Sequence, residues 1–154
     1  MKIGEIAEFV ITGKTPPTKN ANYFNGNVQW FTPPDIGLNK YLKKSIRTLT
    51  NKAVEDRSAV IFPSGTLLIT CIGNIGRIGI LCQNSSANQQ ITGIKFKDFI
   101  DVNYAFYWFV KNSYKLSQKA NQAVVPILNN EGFRLEMLQT LSDISRNINK
   151  PIRV

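Results

Sequence analysis

Apolar residues come in short bursts through the first two thirds of the chain and in a helical rhythm beyond. Residues 27–31, 46–50, 59–62, 66–72, 77–82 and 91–96 are runs rich in branched and aromatic side chains, mostly bounded by Gly, Pro, Asn or Ser, and they predict short strands. Residues 2–11, with Ile3, Ile6, Phe9 and Val10 apolar, fit a short opening segment that is either helical or extended. Two polar stretches separate the first strands. In residues 13–26, Pro16 and Pro17 block helix and ladder alike and Asn25-Gly26 favours a turn; residues 32–45 form a second loop. From Asp101 the period changes: Val102, Ala105, Phe106, Phe109, Val110 and Leu116 recur at three and four, predicting a helix over 101–119 capped by Asp101, its aromatics facing the core. Residues 124–128 read as a short extended piece. Asn130 then caps a final helix through Glu131, Leu135, Leu138 and Leu141, with a frayed tail over 149–154. Strands first and helices last, without regular alternation, predict an α+β fold.

The segment ITCIGNIGRIGILC, residues 69–82, tests this assignment, because its three glycines suggest a nucleotide loop. A Walker loop needs Lys and then Ser or Thr after its last glycine, whereas Arg77 and Ile78 follow Gly76. The dinucleotide fingerprint needs two glycines two apart and then a helix. Branched residues on both sides make the segment a strand, a Gly-Asn-Ile-Gly turn and a second strand. A turn centred on Asn74-Ile75 sets residue 71 against 78 and residue 82 against 67, so Cys71 and Cys82 are not partners. Two reduced, mostly buried thiols are expected.

The 154 residues, 43% hydrophobic, suit one folded domain. No apolar run approaches the roughly 20 residues of a membrane-spanning helix, and the first five residues do not open a basic leader, so a cytoplasmic protein is expected. The chain has no histidine, which removes the commonest general base and metal ligand, and two cysteines cannot close a zinc site. Its ten acids show no catalytic or metal-binding spacing. Neither a catalytic residue, a metal nor a cofactor is therefore expected.

Nineteen Lys and Arg against those ten acids give a formal charge of +9, pointing to a polyanion. With no basic amphipathic helix, that polyanion is nucleic acid rather than a membrane. Lys14, Lys19, Lys40, Lys43, Lys44, Arg47, Lys52 and Arg57 fall in the Pro-, Asn- and Gly-rich first third, where loops could follow a phosphate backbone. Lys14 and Thr15 sit on a loop stiffened by two prolines. Lys43, Lys44 and Arg47 form a cluster suited to phosphates. Arg77 carries a fork that can pair with guanine, or it packs along a strand. Asn88, Gln89 and Gln90 either pair with adenine edges or brace neighbouring loops. Trp30 is a core residue or a stacking surface. Thr32-Pro33-Pro34-Asp35 lacks the flanking polar and aromatic residues of an amino-methyltransferase motif, which leaves Asp35 as a turn cap.

In order, Gly13-Lys14-Thr15-Pro16, residues 23–30, Thr32 to Asp35, Pro63-Ser64-Gly65-Thr66-Leu67-Leu68, Gly73-Asn74-Ile75-Gly76-Arg77 and Asn88-Gln89-Gln90 closely resemble a target recognition domain of type I restriction-modification specificity subunits. The likeness covers roughly residues 1–135. It implies a curved, mainly antiparallel sheet of short strands with long recognition loops, followed by C-terminal helices. It also implies a module that is not itself an enzyme and reads one half of a bipartite site in double-stranded DNA. The expected partners are methyltransferase (modification) subunits and, through them, a restriction subunit. The glycine segment would be a hairpin beside the recognition loops, so that residues 13–20, including Lys19, and residues 74–77 share one sheet edge and read bases through Arg77, Lys14 or Asn74. A complete subunit carries two such domains joined by long helices, whereas here residues 136–154 form a truncated or altered spacer helix and tail, and a second recognition domain is possible. The competing expectation is a nonspecific RNA or single-strand binder that stacks bases on Tyr23, Phe24, Tyr41 or Trp30.

Overall fold

The computed structural model describes residues 7–71 and 76–120, with side chains as far as residue 113 in the last helix. Strands β1 (Ala7–Thr12), β2 (Phe24–Phe31), β3 (Tyr41–Leu42), β4 (Arg47–Leu49), β5 (Leu67–Thr70), β6 (Ile78–Leu81), β7 (Ser86–Ala87) and β8 (Ile91–Phe96) are joined by two helices, α1 (Asn51–Glu55) and α2 (Val102–Ala120). They divide between a five-stranded sheet in the order β1-β8-β5-β6-β3 and a three-stranded sheet in the order β4-β2-β7. Antiparallel pairings prevail, and only β3 beside β6 and β7 beside β2 run parallel. The architecture is the α+β fold of short strands that the element order predicts.

Strands β5 and β6 are buried at every position, because both faces of their sheet are covered. That explains why residues 66–72 and 77–82 read as unbroken apolar runs rather than alternating ones. Leu67 and Ile69 face α2, where Ala105, Trp108 and Phe109 complete a core with Ile78, Ile94 and Phe96. Leu68 points the other way, into a core of Phe31, Ile36, Leu42, Phe62, Leu81, Ala87 and Ile91. On that face Leu68 lies between Gly79 and Gly93. A Cβ on Gly93 would come within 2.5 Å of the Phe62 ring, and one on Gly79 within 2.6 Å of Leu42, so each glycine is the floor on which a neighbouring side chain rests. The helix α2 begins where the sequence places it, with Asp101 Oδ1 accepting from the Asn103 amide at 2.8 Å.

A third, smaller core of Trp30, Leu49, Ala53 and Ala59 joins the three-stranded sheet to α1. The sequence gives little warning of α1: five residues with only Ala53 and Val54 apolar are too few to show a helical period.

Several other expectations change. Residues 59–62 are not a strand; Phe62 makes one isolated bridge to Ser85 before Pro63, and its ring is taken up in packing on Gly93. The loop assigned to 13–26 contains a 3₁₀ turn at Ala21–Tyr23 and the start of β2, and the loop assigned to 32–45 contains a 3₁₀ turn at Pro33–Asp35 and strand β3. The opening segment is extended from Ala7 onward. The β5–β6 hairpin forms, but in a register of Leu67 with Ile80 and Ile69 with Ile78, two residues from the one expected. The backbone keeps pairing closer to the glycines, with the Gly76 amide donating to Thr70 O at 3.1 Å and Gly76 at φ +86. Cys71 and Cys82 are free thiols. Burial pushes the Cys71 thiol up, whereas Cys82, one residue past the end of β6, is exposed rather than buried. Asn74, the extended piece at 124–128, the helix capped by Asn130 and residues 136–154 lie outside the described residues.

Candidate nucleic-acid interface

The strand directions of the five-stranded sheet bring several chain segments to one end. There β1 and β5 finish and β8 and β6 begin, so residues 13–16, 71, 76–77 and 88–90 gather beside one another. The exit from β1 is pressed against residues 87–88. The Gly13 amide donates to Ile91 O at 2.8 Å, the Lys14 amide donates to Ala87 O at 2.9 Å, and a Cβ on Gly13 would sit 2.3 Å from the Ala87 and Asn88 carbonyl oxygens. Across this contact the Thr15 hydroxyl donates to Gln89 Oε1. Lys14, Lys19 and Gln89 are exposed and Thr15 is half-buried.

Asn88 resolves toward bracing. It is 8% exposed, its Oδ1 accepts from the Gln90 amide at 3.0 Å, and its Nδ2 donates to Gln90 Oε1 at 3.2 Å. Its own amide donates to Phe31 O at 3.0 Å, continuing the pairing of β7 with β2. An amide enclosed in this way holds the turn and leaves Gln89 as the outward member of the trio.

Arg77 stands at the same end but three strands away, with β8 and β5 between it and the exit of β1. Three inter-strand spacings separate them by about 14 Å, so the two loops share an end without touching. Arg77 Nη1 donates to Pro33 O at 3.3 Å, and its stem packs against Gly37, whose φ is +106. Its amide donates to the Thr70 hydroxyl at 3.0 Å. The half-buried guanidinium thus ties the hairpin to the 33–37 segment and is oriented by it.

The basic cluster read at 43–47 is divided by the fold. Lys43 and Lys44 follow β3, the edge strand opposite β1, and line a cleft of about 570 Å³ with Asp35 and residues 39–42. Arg47 is turned back by β4, opposite Trp30, where its guanidinium carbon lies 4.8 Å from the Trp30 ring centroid and 5.4 Å from that of Phe24. Pairing on β4 decides this, since cross-strand partners share a face. Lys40 is likewise drawn inward, 4.4 Å from the Tyr107 ring centroid and 5.2 Å from that of Tyr41.

Asp35 is the turn cap expected of it. Its Oδ2 accepts from the Thr32 amide at 2.7 Å and hydroxyl at 2.9 Å, and its Oδ1 accepts from the Ile46 amide at 2.7 Å. Trp30 is 2% exposed, a core residue whose Nε1 donates to Lys14 O at 3.3 Å. Tyr23 and Phe24 are half-buried, with the Tyr23 hydroxyl donating to Asp56 Oδ2 at 2.9 Å. Of the aromatics expected to stack on bases, Tyr41 is exposed, and its hydroxyl donates to Asn103 Oδ1 at 2.9 Å. The stacking platform of a single-strand binder is therefore largely consumed by packing. Among the described residues no group of three or more His, Cys, Asp or Glu could hold a metal ion, and no helix is long and apolar enough to cross a membrane.

The model of the type I restriction modification DNA specificity domain family matches residues 1–139. The type I restriction enzyme MjaIX specificity subunit of Methanocaldococcus jannaschii is 37% identical over 110 residues, covering 70% of this chain and 25% of that protein. The EcoprrI specificity subunit of Escherichia coli is 30% identical over 102 residues, covering 62% of this chain and 25% of its own length. The chain thus spans about a quarter of these curated relatives. The HsdS subunit of Thermoanaerobacter tengcongensis shares the fold, with a TM-score of 0.60 at 15% identity over 99% of this chain and 40% of that one. A structure solved to explain complex assembly and conformational transition of a type I R-M system does so too, with a TM-score of 0.60 at 16% identity over 95% of this chain and 38% of that one.

Proposed function

The chain belongs to the type I restriction modification DNA specificity domain family, and from that premise we propose that it is a target recognition domain reading one half of a bipartite site in duplex DNA. In this reading it carries no catalytic residue, and methyl transfer and cleavage reside on modification and restriction subunits with which it assembles. The observation that carries the proposal is the convergence, at one end of a rigid buried sheet, of Lys14, Thr15, Gln89 and Arg77 from three separate segments. Side chains held on loops by a fixed scaffold suit base reading, and a span of about 14 Å from Lys14 to Arg77 is close to the roughly 12 Å width of the major groove.

Roles follow from the geometry. Arg77, oriented by the Pro33 carbonyl, is the reader of guanine. Gln89, its carbonyl occupied by Thr15, presents amide donors outward, and Asn88 and Gln90 hold that turn in place. Lys14, Lys19, Lys43, Lys44 and Arg47 neutralise phosphates, and Asn74 is a further candidate for base contact.

Selection of bound duplexes from a random pool, with and without a modification subunit, tests the proposal. Enrichment of one short half-site supports it. A pool that stays random, or displacement of duplex by RNA or single strands at the same salt concentration, overturns it. Against the selected site, Arg77→Ala should lower affinity about 5- to 150-fold while sparing random duplexes, whereas Lys44→Ala should weaken both alike.

A further inference from the structure

Three basic residues far apart in the sequence, Lys14, Arg47 and Arg57, are linked into one neighbourhood beside Trp30. The Trp30 indole donates to the Lys14 carbonyl at 3.3 Å. The Lys14 side chain then reaches across the small core, where Nζ donates to Arg57 O at 2.7 Å. Arg47 closes the third side with its guanidinium over the indole. All three residues are exposed. Two acids lie close by in α1 and just past it: Glu55 is exposed, and Asp56 is engaged by Lys52 Nζ at 2.9 Å and by the Tyr23 hydroxyl at 2.9 Å. With Lys52 counted, four positive residues stand against two negative ones.

Arg57 also has an unusual backbone. Its φ is +55, in the left-handed region that favours glycine, at the point where α1 ends and the chain doubles back through the Ser58 and Ala59 amides onto Ala53 O. A glycine would suit the turn better, so the side chain at 57 is kept at the expense of backbone comfort.

We propose that Arg57, Lys14 and Arg47 form one clamp on a sugar–phosphate backbone, in which Arg57 is a phosphate contact equal in rank to Lys14. The proposal rests on the duplex-DNA reading above and extends it from the Lys14 loop onto the small sheet and the end of α1. The fixed Trp30 edge sets the spacing of the three groups. The guanidinium of Arg47 is held over the ring by a cation–π contact, which does not consume its N–H donors and so suits it to bidentate phosphate contact.

The experiment measures binding of the full chain to a labelled random-sequence duplex and to the selected duplex over a range of salt concentrations. Arg57→Gly removes the charge and relaxes the backbone, and Arg57→Asn, which also tolerates that conformation, is the second neutral variant. Each should lower affinity for both duplexes alike and flatten the slope of log K against log salt by about 0.9, with about 1.8 for Lys14→Gln combined with Arg57→Gly. A steep wild-type slope that both Arg57 variants leave unchanged overturns the clamp and leaves the DNA reading standing. A wild-type chain with no salt-dependent duplex binding overturns both.

Discussion

The two sheets differ in what their side chains are occupied with. In the five-stranded sheet β5 and β6 are buried throughout, and Leu68 is caged between Gly79 and Gly93 with Phe62 and Leu42 above. In the three-stranded sheet, β2 alternates half-buried and exposed positions as far as Val28, and its surroundings are polar: Ser45 bonds to Gln29 and Trp30, Asp35 caps Thr32 and Ile46, and Arg47 covers Trp30. The first sheet is held by burial, which is nondirectional and roughly proportional to area, whereas the second adds to its small core a larger share of directed polar contacts, each modest in net energy. Stability should therefore reside in the large sheet, and the phosphate contacts proposed for Arg47 and Arg57 around the small one. Substitutions that separate those two properties test the division.

The largest effect is expected at Phe62, fully buried over Gly93. Phe62→Ala should destabilise the fold by about 3–5 kcal/mol, read as a lower denaturation midpoint. At temperatures where the variant remains folded, its salt slope on random duplex should match the wild type. A large fall in slope with an intact fold would mean that the two sheets are not separable.

Asp35→Ala should cost about 2 kcal/mol, since one carboxylate satisfies three donors, two on Thr32 and one on Ile46. It also releases the 43–46 segment, so the contribution of Lys44 to binding should fall with it. If the cost is no greater than that of an exposed charge, water replaces the carboxylate and the cap is not what positions this loop.

Trp30→Phe keeps most of the buried ring and removes the donor to Lys14 O. It should cost about 1 kcal/mol, less than either change above, yet flatten the salt slope by loosening Lys14. Equal slopes for Trp30→Phe and wild type would show that the main-chain bonds of Gly13 and Lys14 to Ile91 and Ala87 suffice to place the Lys14 side chain.

The same division explains what could be read in the sequence. Burial leaves its period in the residues themselves, so β5, β6, β8 and α2 were legible, as were the hairpin nature of the glycine segment and the capping role of Asp35. The register of that hairpin was not, because it depends on where pairing stops rather than on which residues pair. Neither was the fate of the cations. Lys43, Lys44 and Arg47 look like one cluster along the chain, but β4 pairing carries Arg47 to Trp30, while Lys14 and Arg57, separated by 43 positions, meet through a backbone carbonyl. Contacts of that kind leave no periodicity. The one local hint at Arg57 was its place just past Glu55 and Asp56, at the end of a helix too short to recognise.

The smallest effect is expected for the pair Lys52–Asp56, spaced i and i+4 on α1 and open to solvent. Lys52 first, and then the Tyr23 hydroxyl, hold the Asp56 carboxyl below the ordinary carboxylate range, and Asp56 in turn raises Lys52. A lowered acid stabilises the fold above its unfolded pKa and loses that contribution as pH falls through the folded value; a raised lysine stabilises below its unfolded pKa and loses it as pH rises through the folded one. The difference in stability between wild type and Asp56→Asn should therefore be small at neutral pH and begin to decline below about pH 4 and above about pH 10, and at neutral pH it should shrink in about 1 M salt. Denaturation curves across that range check it. A difference that survives acid and salt would mean that Asp56 acts through its uncharged hydrogen-bond geometry with Tyr23, which would move α1 to the side of the molecule where fixed contacts, and not mobile charges, hold the fold.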